Sequence, residues 1–429
     1  MIMAMKESGI EWVGLIPDDW KIAKNNRLFN ISKQLVNENW KNTQLLSLTK
    51  SGIIEKNINE GGGKQPESFG TYQYVEKDDI VLCLFDIDVS AVFSDRSKYD
   101  GMISPAYRVM KCTDAILPVY AKWWFDAVNI GRYYLIYTKS LRKTIDADGF
   151  GNILTVVPPL PEQQTIADYL DETCSKIDEI IAEAKASIDE YKELKQSVIF
   201  EAVTKGLDKN VEMKDSGYDF IGCIPSEWEM CKIRHLGTAQ NGISIGGEAF
   251  GSGHPFVSYG DVYKNYSLPK TVDKLVQSSE EDRKRYSVEK DDWFFTRTSE
   301  TIEEVGFSCV CEETIPDAVF AGFLIRVRPF NNRIYTGFAK YYFRSNHLRT
   351  FFVKEMNLVT RASLAQGLLK DAPVVVPPYD EQIEIANYLE NKCEIIDGVI
   401  KDKESTINDL EVYKKSLIYE VVTGKRRVV

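Results

Sequence analysis

VVPPLPEQQTIADYL at residues 156–170 returns as VVPPYDEQIEIANYL at residues 375–389, an offset of 219. Each stretch passes from a β-branched run into a proline pair, which removes amide donors and stops a strand. An acid- and amide-rich helix start follows. Pro161 and Asp380 suit a first helical turn, where the amides have no intrahelical partner and the helix end favours negative charge.

The matching extends through the chain. Lys6-Glu7-Ser8-Gly9 pairs with Lys214-Asp215-Ser216-Gly217, and Gly14-Leu15-Ile16-Pro17 with Trp20 pairs with Gly222-Cys223-Ile224-Pro225 with Trp228, all at 208. VEKDD at 75–79 is identical at 288–292, an offset of 213. AYRV (106–109) matches LIRV (324–327), and Tyr120 to Phe125 matches Phe338 to Phe343, both at 218. The offset only grows, as loop insertions require, so the chain is an internal duplication.

Each copy has a lead-in segment (1–23, 208–230), a divergent block (24–155, 231–374) and a closing helix. The domain reading is 1–155 for lead-in and first block, 156–207 for the first long helix, 208–374 for linker, lead-in and second block, and 375–429 for the second long helix. The blocks are rich in Tyr, Phe, Val and Ile and are broken by turn signals at Gly61-Gly62-Gly63 and in the glycine-rich stretch 242–253, which reads as a flexible loop. They predict mixed α and β domains with short strands such as Ile80 to Phe85 and Phe323 to Val327.

The closing helices carry a seam of 4- and 3-residue steps: Leu170, Cys174, Ile177, Ile181, Ala184, Ile188 and Tyr191, then Leu389, Cys393, Ile396, Ile400, Lys403, Ile407 and Leu410. After Tyr191 and Leu410 both copies take a 3-residue step, to Leu194 and Tyr413, before resuming at Val198 and Leu417, which predicts a stammer. Each helix is expected to run about 42 residues, roughly 60 Å, with Gly206 and Gly424 near the ends. The fold class is α+β: two mixed α/β domains joined by two long antiparallel helices.

Hydrophobic residues make up 44% of the 429 and charged residues 27%, so more than one full core is expected. No apolar run is long enough for a membrane span, and the N-terminal stretch lacks a basic-then-apolar pattern, which points to the cytoplasm. The eight cysteines form no CxxC pair and only three histidines accompany them, which disfavours zinc. Reduced, mostly buried thiols are expected.

The net charge of −11 opposes DNA binding if taken whole. Divided, residues 24–155 hold 17 Lys+Arg against 15 Asp+Glu and residues 231–374 hold 19 against 17, leaving 17 against 32 elsewhere. The excess of acid over base therefore sits outside the divergent blocks.

Catalytic patterns fail on chemistry. Val157 and Val376 precede the prolines where an amino-methyltransferase needs Asn or Asp to hold the amine. Pro17-Asp18-Asp19-Trp20-Lys21 imitates a nuclease, but its carboxylates are sequence neighbours and the second copy reads Ser226-Glu227-Trp228-Glu229. The glycines at 242–253 contain no phosphate-cradling loop. His235, His254 and His347 have no partner by spacing and read as structural.

Cationic runs remain. No acid lies between Asp317 and Glu355, while Arg326, Arg328, Arg333, Lys340, Arg344, Arg349 and Lys354 do, with aromatics interleaved. Ala127 to Ile145 is also acid-free and carries Arg132, Lys139, Arg142 and Lys143. Such side chains can neutralise phosphates, and Arg can read guanine; the competing reading is a solvated helix face. Arg142-Lys143-Thr144-Ile145 aligns with Arg361-Ala362-Ser363-Leu364, a shared phosphate contact. Base readers must differ between copies; the candidates are Lys64, Gln65, Arg96, Ser97 and Lys98 in the first, and Ser244, Arg283, Lys284, Arg285, Arg297 and Thr298 in the second.

SGIEWVGLIPDDW, SGYDFIGCIPSEW, PPLPEQQTIADYLDETCSKID and PPYDEQIEIANYLENKCEIID resemble the signatures of DNA-specificity subunits of Type I restriction–modification enzymes, as do SPAYRV (104–109) and FTRTSE (295–300). The resemblance implies a non-catalytic subunit with two target-recognition domains, each reading half of a bipartite, asymmetric double-stranded DNA site. The helices fix the spacer and dock two methyltransferase subunits, which use S-adenosylmethionine; this chain binds no cofactor and no metal. Motor–nuclease subunits complete the assembly. A circular, pseudo-twofold arrangement is expected, with the end of the second helix near Met5 to Trp20. The alternative is an orphan or decoy scaffold that holds methyltransferase without reading DNA.

Overall fold

The computed structural model describes residues 4–32, 34–57, 68–90, 93–138, 142–299, 305–355 and 362–428. The chain forms two compact units, Met1–Lys185 with Glu404–Val429, and Ala186–Lys403. The division runs through both long helices, so each unit holds one part of each.

In the first unit, the lead-in hairpin pairs Met5–Glu7 with Leu15–Pro17. Strand Lys21–Lys24 then pairs with Leu154–Val157, bringing the beginning and end of the block together. Between them lies an antiparallel sheet in the order Phe29–Ile31, Arg108–Cys112, Ile80–Leu82, Ser94–Arg96. A second sheet orders Gly52–Lys56, Leu45–Thr49, Gly101–Ile103 and Gln73–Val75, with one parallel pairing, Met102 to Leu45. Helix Pro118–Ile130 buries Tyr120, Trp123, Trp124 and Phe125 in the core with Leu82, Met110 and Phe29. Burying a large apolar side chain is worth about 1.5–3 kcal/mol each, so this aromatic run is a principal source of cohesion.

The second unit repeats the first antiparallel sheet strand for strand: Gly237–Asn241, Leu324–Pro329, Trp293–Thr296, Ser308–Val310. Strand Glu229–Lys232 pairs with Pro373–Val376, as its counterpart does. The rest differs. Phe250–Val257 is a strand between Leu275–Val276 and Val319–Phe320, where the sequence predicted a flexible loop. Its glycines meet a geometric need: Gly253 has φ +106°, and a Cβ there would lie 2.5 Å from the Val276 carbonyl oxygen.

The long helices are Leu160–Lys205 (46 residues) and Tyr379–Val422 (44 residues). Gly206 and Gly424 follow with φ of 76° and 72°, the left-handed conformation that ends helices. Within the first unit Glu162 lies by Arg427 and Asp178 by Lys414, so the two segments run antiparallel. Within the second unit, Glu381 lies by Gly206 and Asp397 by Lys195, giving the same sense. Leu170, Cys174, Ile177, Ile181, Ile188, Leu389, Cys393 and Ile396 are buried, while Ile400 and Ile407 are half-buried.

The predicted stammer is corrected. Leu194 and Tyr413 are 48% and 44% exposed. The inward position belongs to the next residue: Lys195 and Lys414 lay their stems along the seam and reach Asp397 and Asp178. The 3- and 4-residue steps therefore run on through Ile188, Tyr191, Lys195 and Ile199 without interruption. Apolar spacing does not mark these lysines, because a snorkelling side chain packs an apolar stem and is polar only at its tip.

The EQ dipeptides explain how each helix start fixes its block. Trp20 Nε1 donates to Glu162 at 2.9 Å and Trp228 Nε1 to Glu381 at 2.9 Å, tying lead-in to helix. Gln163 Oε1 accepts from the Leu117 amide at 2.7 Å, and its Nε2 donates to the carbonyls of Ala115 and Pro158. Gln382 does the same with the Tyr335 amide at 2.7 Å and the carbonyls of Arg333 and Pro377. A carboxamide is needed because only it both donates and accepts in this geometry.

In the first unit the chain beyond Val422 returns to the lead-in, as expected. Tyr419 donates to the Trp12 carbonyl at 2.9 Å, Lys425 donates to that of Val13, and Arg427 pairs with Asp19 at 3.0 Å.

Candidate nucleic-acid interface

In both units a hairpin loop of the shared sheet is stitched to the strip just before the long helix. The Ile145 amide donates to the Leu84 carbonyl at 2.9 Å, and that of Leu364 to the Arg297 carbonyl at 2.7 Å. Ile145 and Leu364 are buried anchors, and the aligned offsets of 219 and 213 make the two contacts counterparts. The sequence alignment of Arg142–Ile145 with 361–364 thus corresponds to one backbone arrangement.

In the first unit Arg142 and Lys143 are exposed on this strip, whose carbonyls accept from Asp86 and Ile87. Lys143 has φ +46° and Arg132 φ +53°, so backbone geometry here is fixed against ordinary preference. Arg132 donates to the carbonyls of Ile87 at 2.8 Å and Ser90 at 3.0 Å and thereby shapes the loop from within. Arg96 and Lys98 line a different cleft, with Lys50, Lys122, Asp126 and Asp171, and Arg96 lies 3.6 Å from Asp78. Ser97 is fully buried and its hydroxyl bonds the Tyr99 backbone, which commits it to the turn.

In the second unit Arg297 and Thr298 sit at the stitched strip, with Thr298 paired to Ser363. Ser244 is exposed beside Gly322. Arg283, Lys284 and Arg285 lie on the short helix Glu280–Arg285, apart from that strip, and Arg283 donates to the Ser278 carbonyl at 2.8 Å while Lys284 pairs with Glu280 at 2.7 Å. Lys64, Gln65, Lys139 and Arg361 lie outside the described residues.

The cationic run of residues 318–354 is acid-free along the chain and rich in acid contacts in space. Arg328 holds Asp292 at 2.7 Å and Glu289 at 2.8 Å, Lys340 holds Glu390 at 2.7 Å, and Arg333 pairs with Glu229. Burial pushes the Asp292 carboxyl above the ordinary carboxylate range even with Arg328 beside it. Arg344 spans the carbonyls of Val262, Tyr263, Asn265 and Ser308 and stacks at 4.4 Å on Phe307. Arg349 lies over the same ring at 4.3 Å. These groups hold the fold, and the aromatics among them are core anchors: Phe338, Tyr341, Tyr342, Phe343 and Phe352 are buried.

One surface is marked by no sequence pattern. A groove of about 700 Å³ in the first unit has a largely apolar wall of Phe29, Ile31, Leu35 and Phe150. On it Asn26, Asn30 and Arg108 expose amide and guanidinium groups of the kind that read base edges, while Gln73 is buried and donates to the Ser104 and Tyr107 carbonyls. Arg108 is exposed, whereas its counterpart Arg326 is 5% exposed and donates to Gln240 at 2.6 Å. The AYRV/LIRV match pairs these arginines, and only burial separates them.

Among the described residues, no helix is long and apolar enough to cross a membrane. All eight cysteines are free thiols, five of them buried.

Residues 225–408 match the family model described as Type I restriction modification DNA specificity domain. The chain is 23% identical over 274 residues to the EcoKI specificity subunit of the Type I restriction enzyme of Escherichia coli K12, and 24% over 280 residues to the EcoBI specificity subunit of E. coli. Each match covers 63% of this chain, and it spans 57% and 58% of the two relatives. Among solved structures, one described under complex assembly and conformational transition of the type I R-M system superposes with a TM-score of 0.73 at 14% identity, covering 96% of this chain and 99% of the other. The HsdS subunit of Thermoanaerobacter tengcongensis gives 0.53 at 13% identity, covering 96% and 98%. At such identities the likeness is one of fold.

Proposed function

We propose, for a chain that belongs to the family of Type I restriction–modification specificity subunits, that its two divergent blocks each read one half of a bipartite double-stranded DNA site. The observation that carries this is the stitched strip. The same backbone contact recurs in both units, at Leu84–Ile145 and Arg297–Leu364, with different side chains around it. A common frame with changed side chains is what two unlike half-sites demand, since phosphate contacts position and base contacts specify.

In this reading Arg142 and Lys143, with Arg361 as their counterpart, face phosphates, and the loop of residues 86–90 and Arg297 with Thr298 approach base edges. The groove at Asn30 and Arg108 supplies a further reading surface in the first unit. Residues 24–155 and 231–374 hold DNA, while the lead-ins and the helices of 156–207 and 375–429 hold protein partners, the helices acting as a ruler that fixes the unspecified spacer and as the platform for two methyltransferase subunits. S-adenosylmethionine and the methyl transfer belong to those partners, DNA motion and cleavage to motor–nuclease subunits, and the assembly works in the cytoplasm as a non-enzymatic reader with its partners.

The arrangement is circular and pseudo-twofold. Supporting it, Asp178 with Lys414 and Asp397 with Lys195 are one contact written twice with the copies exchanged, as a self-complementary interface requires. The test is adenine-methylation mapping in cells carrying this chain with its methyltransferase partner. Two half-sites at constant spacing are expected. Exchanging the first block for that of a relative changes one half-site only; a change in both halves overturns the division of labour.

A further inference from the structure

Arg297 is held by its backbone on both sides and free at its side chain. Its amide donates to the Phe323 carbonyl at 2.9 Å, and its own carbonyl accepts from the Leu364 amide at 2.7 Å. Arg326, Arg328, Arg333 and Arg344 of the same unit are committed to protein partners; among the described residues the Arg297 guanidinium has none. Phe323 is its cross-strand neighbour, one step beyond the register pair Thr296–Leu324. That pair is buried, whereas Phe323 is 64% exposed, the most exposed aromatic ring among the described residues. The turn that presents it is fixed: the Leu324 amide donates to the Ala321 carbonyl at 3.0 Å, that of Ala321 to Val257 at 3.0 Å, and that of Ile243 to Phe320 at 2.9 Å. A Cβ on the preceding Gly322 would lie 2.7 Å from Ser244 Oγ.

A single exposed apolar ring is ordinary. This one is anchored beside a free cation on the strip proposed to face DNA, and in the first unit the loop of residues 86–90 also turns an apolar side chain outward, Val89 at 76%. The aligned pair in the first copy, Leu84 and Pro105, carries no guanidinium, as unlike half-sites require. A phosphate offers an aromatic ring nothing. The apolar group that the major groove presents is the methyl of thymine, and Arg beside it can pair with N7 and O6 of guanine. Cross-strand Cβ atoms lie about 5 Å apart, and successive bases of one strand about 3.4 Å, so the two side chains fit one base step. We infer that Arg297 and Phe323 read one step of the second half-site together: Arg297 takes guanine, and Phe323 packs on the methyl group of the adjacent thymine. The inference rests on the proposed reading of a bipartite site and names the base chemistry within one half.

The experiment measures binding by the full chain, assembled with its cognate methyltransferase subunit, to duplexes of the mapped target. Each thymine of the second half-site is replaced singly by uracil, which deletes only the methyl group, and each guanine by its 7-deaza analogue, which deletes the N7 acceptor. One uracil duplex is expected to bind about fourfold more weakly, the loss of one buried methyl group, and the duplex altered at the adjoining guanine about tenfold more weakly. Phe323→Ala abolishes the uracil effect and keeps the guanine effect, Arg297→Met does the reverse, and Phe323→Leu keeps part of the uracil effect. Thermal unfolding and the responses of the first half-site stay unchanged. A Phe323→Ala complex that still discriminates thymine from uracil, or a wild-type complex indifferent to every uracil, overturns the inference. So does loss of a methyltransferase copy from Phe323→Ala in native mass spectrometry, which makes the surface a protein interface. A wild-type complex that recognises no bipartite site overturns the proposed function instead.

Discussion

Lys414 donates to both carboxylate oxygens of Asp178 at 2.6 Å, a contact between residues 236 positions apart. Lys195 makes the same fork on Asp397 at 2.6–2.7 Å. Each lysine is the more buried partner, with side-chain exposures of 26% and 14%. Reversing one charge, as in Lys414→Asp, is expected to lower stability, and adding Asp178→Lys to recover part of the loss. The coupling in a double-mutant cycle is about 0.5–1 kcal/mol, modest because the aspartates are largely solvated. Additive effects would show that the fork contributes nothing.

Gln163 and Gln382 each satisfy one backbone amide and two carbonyls with a single carboxamide. Gln163→Ala orphans part of that set and is expected to cost about 1–3 kcal/mol by urea unfolding. Gln163→Glu can still accept from Leu117 yet cannot donate, so it is expected to be no better than alanine. A glutamate variant as stable as wild type would refute the clamp.

His347 is buried between Tyr342 and Phe200 and shares a 2.7 Å hydrogen bond with the Ser345 hydroxyl. Burial depresses its pKa from 6.5 to about 3. The folded state therefore binds fewer protons than the unfolded state between these values. The stability this neutral ring contributes is complete above pH 6.5 and is lost as pH falls toward 3, at up to about 1.4 kcal/mol per pH unit. His347→Gln is expected to flatten that limb of a urea-midpoint-against-pH curve; an unchanged slope would place the titration elsewhere.

Arg142 and Arg344 separate surface cations from structural ones. Arg142→Ala is expected to leave unfolding unchanged, weaken DNA binding by the assembled complex about equally for all sequences, and reduce the salt slope by about 0.9. Arg344→Met removes a guanidinium from four carbonyls and is expected to cost about 2–4 kcal/mol in stability. A destabilised Arg142 variant, or an unaffected Arg344 variant, would reverse the assignment.

A circular permutant opened at Asn210, in the exposed linker after Gly206, with the original ends joined, is expected to fold and support methylation. The contacts of Tyr419, Lys425 and Arg427 with the lead-in already hold the old ends together. Failure to fold would refute the circular arrangement.

Repetition determined a great deal from sequence alone. Two copies of one motif located both helices, their starts and glycine ends, and the equivalence of residues 142–145 with 361–364, because capping and apolar period are local properties written in neighbouring residues. Charge partners are not local. The acid-free run of residues 318–354 looked like open cation, yet Arg328, Arg333 and Lys340 meet Glu229, Glu289, Asp292 and Glu390, brought in from elsewhere in the chain, and Arg344 is spent on backbone carbonyls. The same limit misread Leu194 and Tyr413: spacing identifies which residues are apolar, while the facing helix decides which position is inward, and Lys195 and Lys414 fill it because their aspartates wait across the seam. Sequence identified the unit and its repetition; tertiary structure decided which cations remain for DNA, because a charge is neutralised by what lies near it in space.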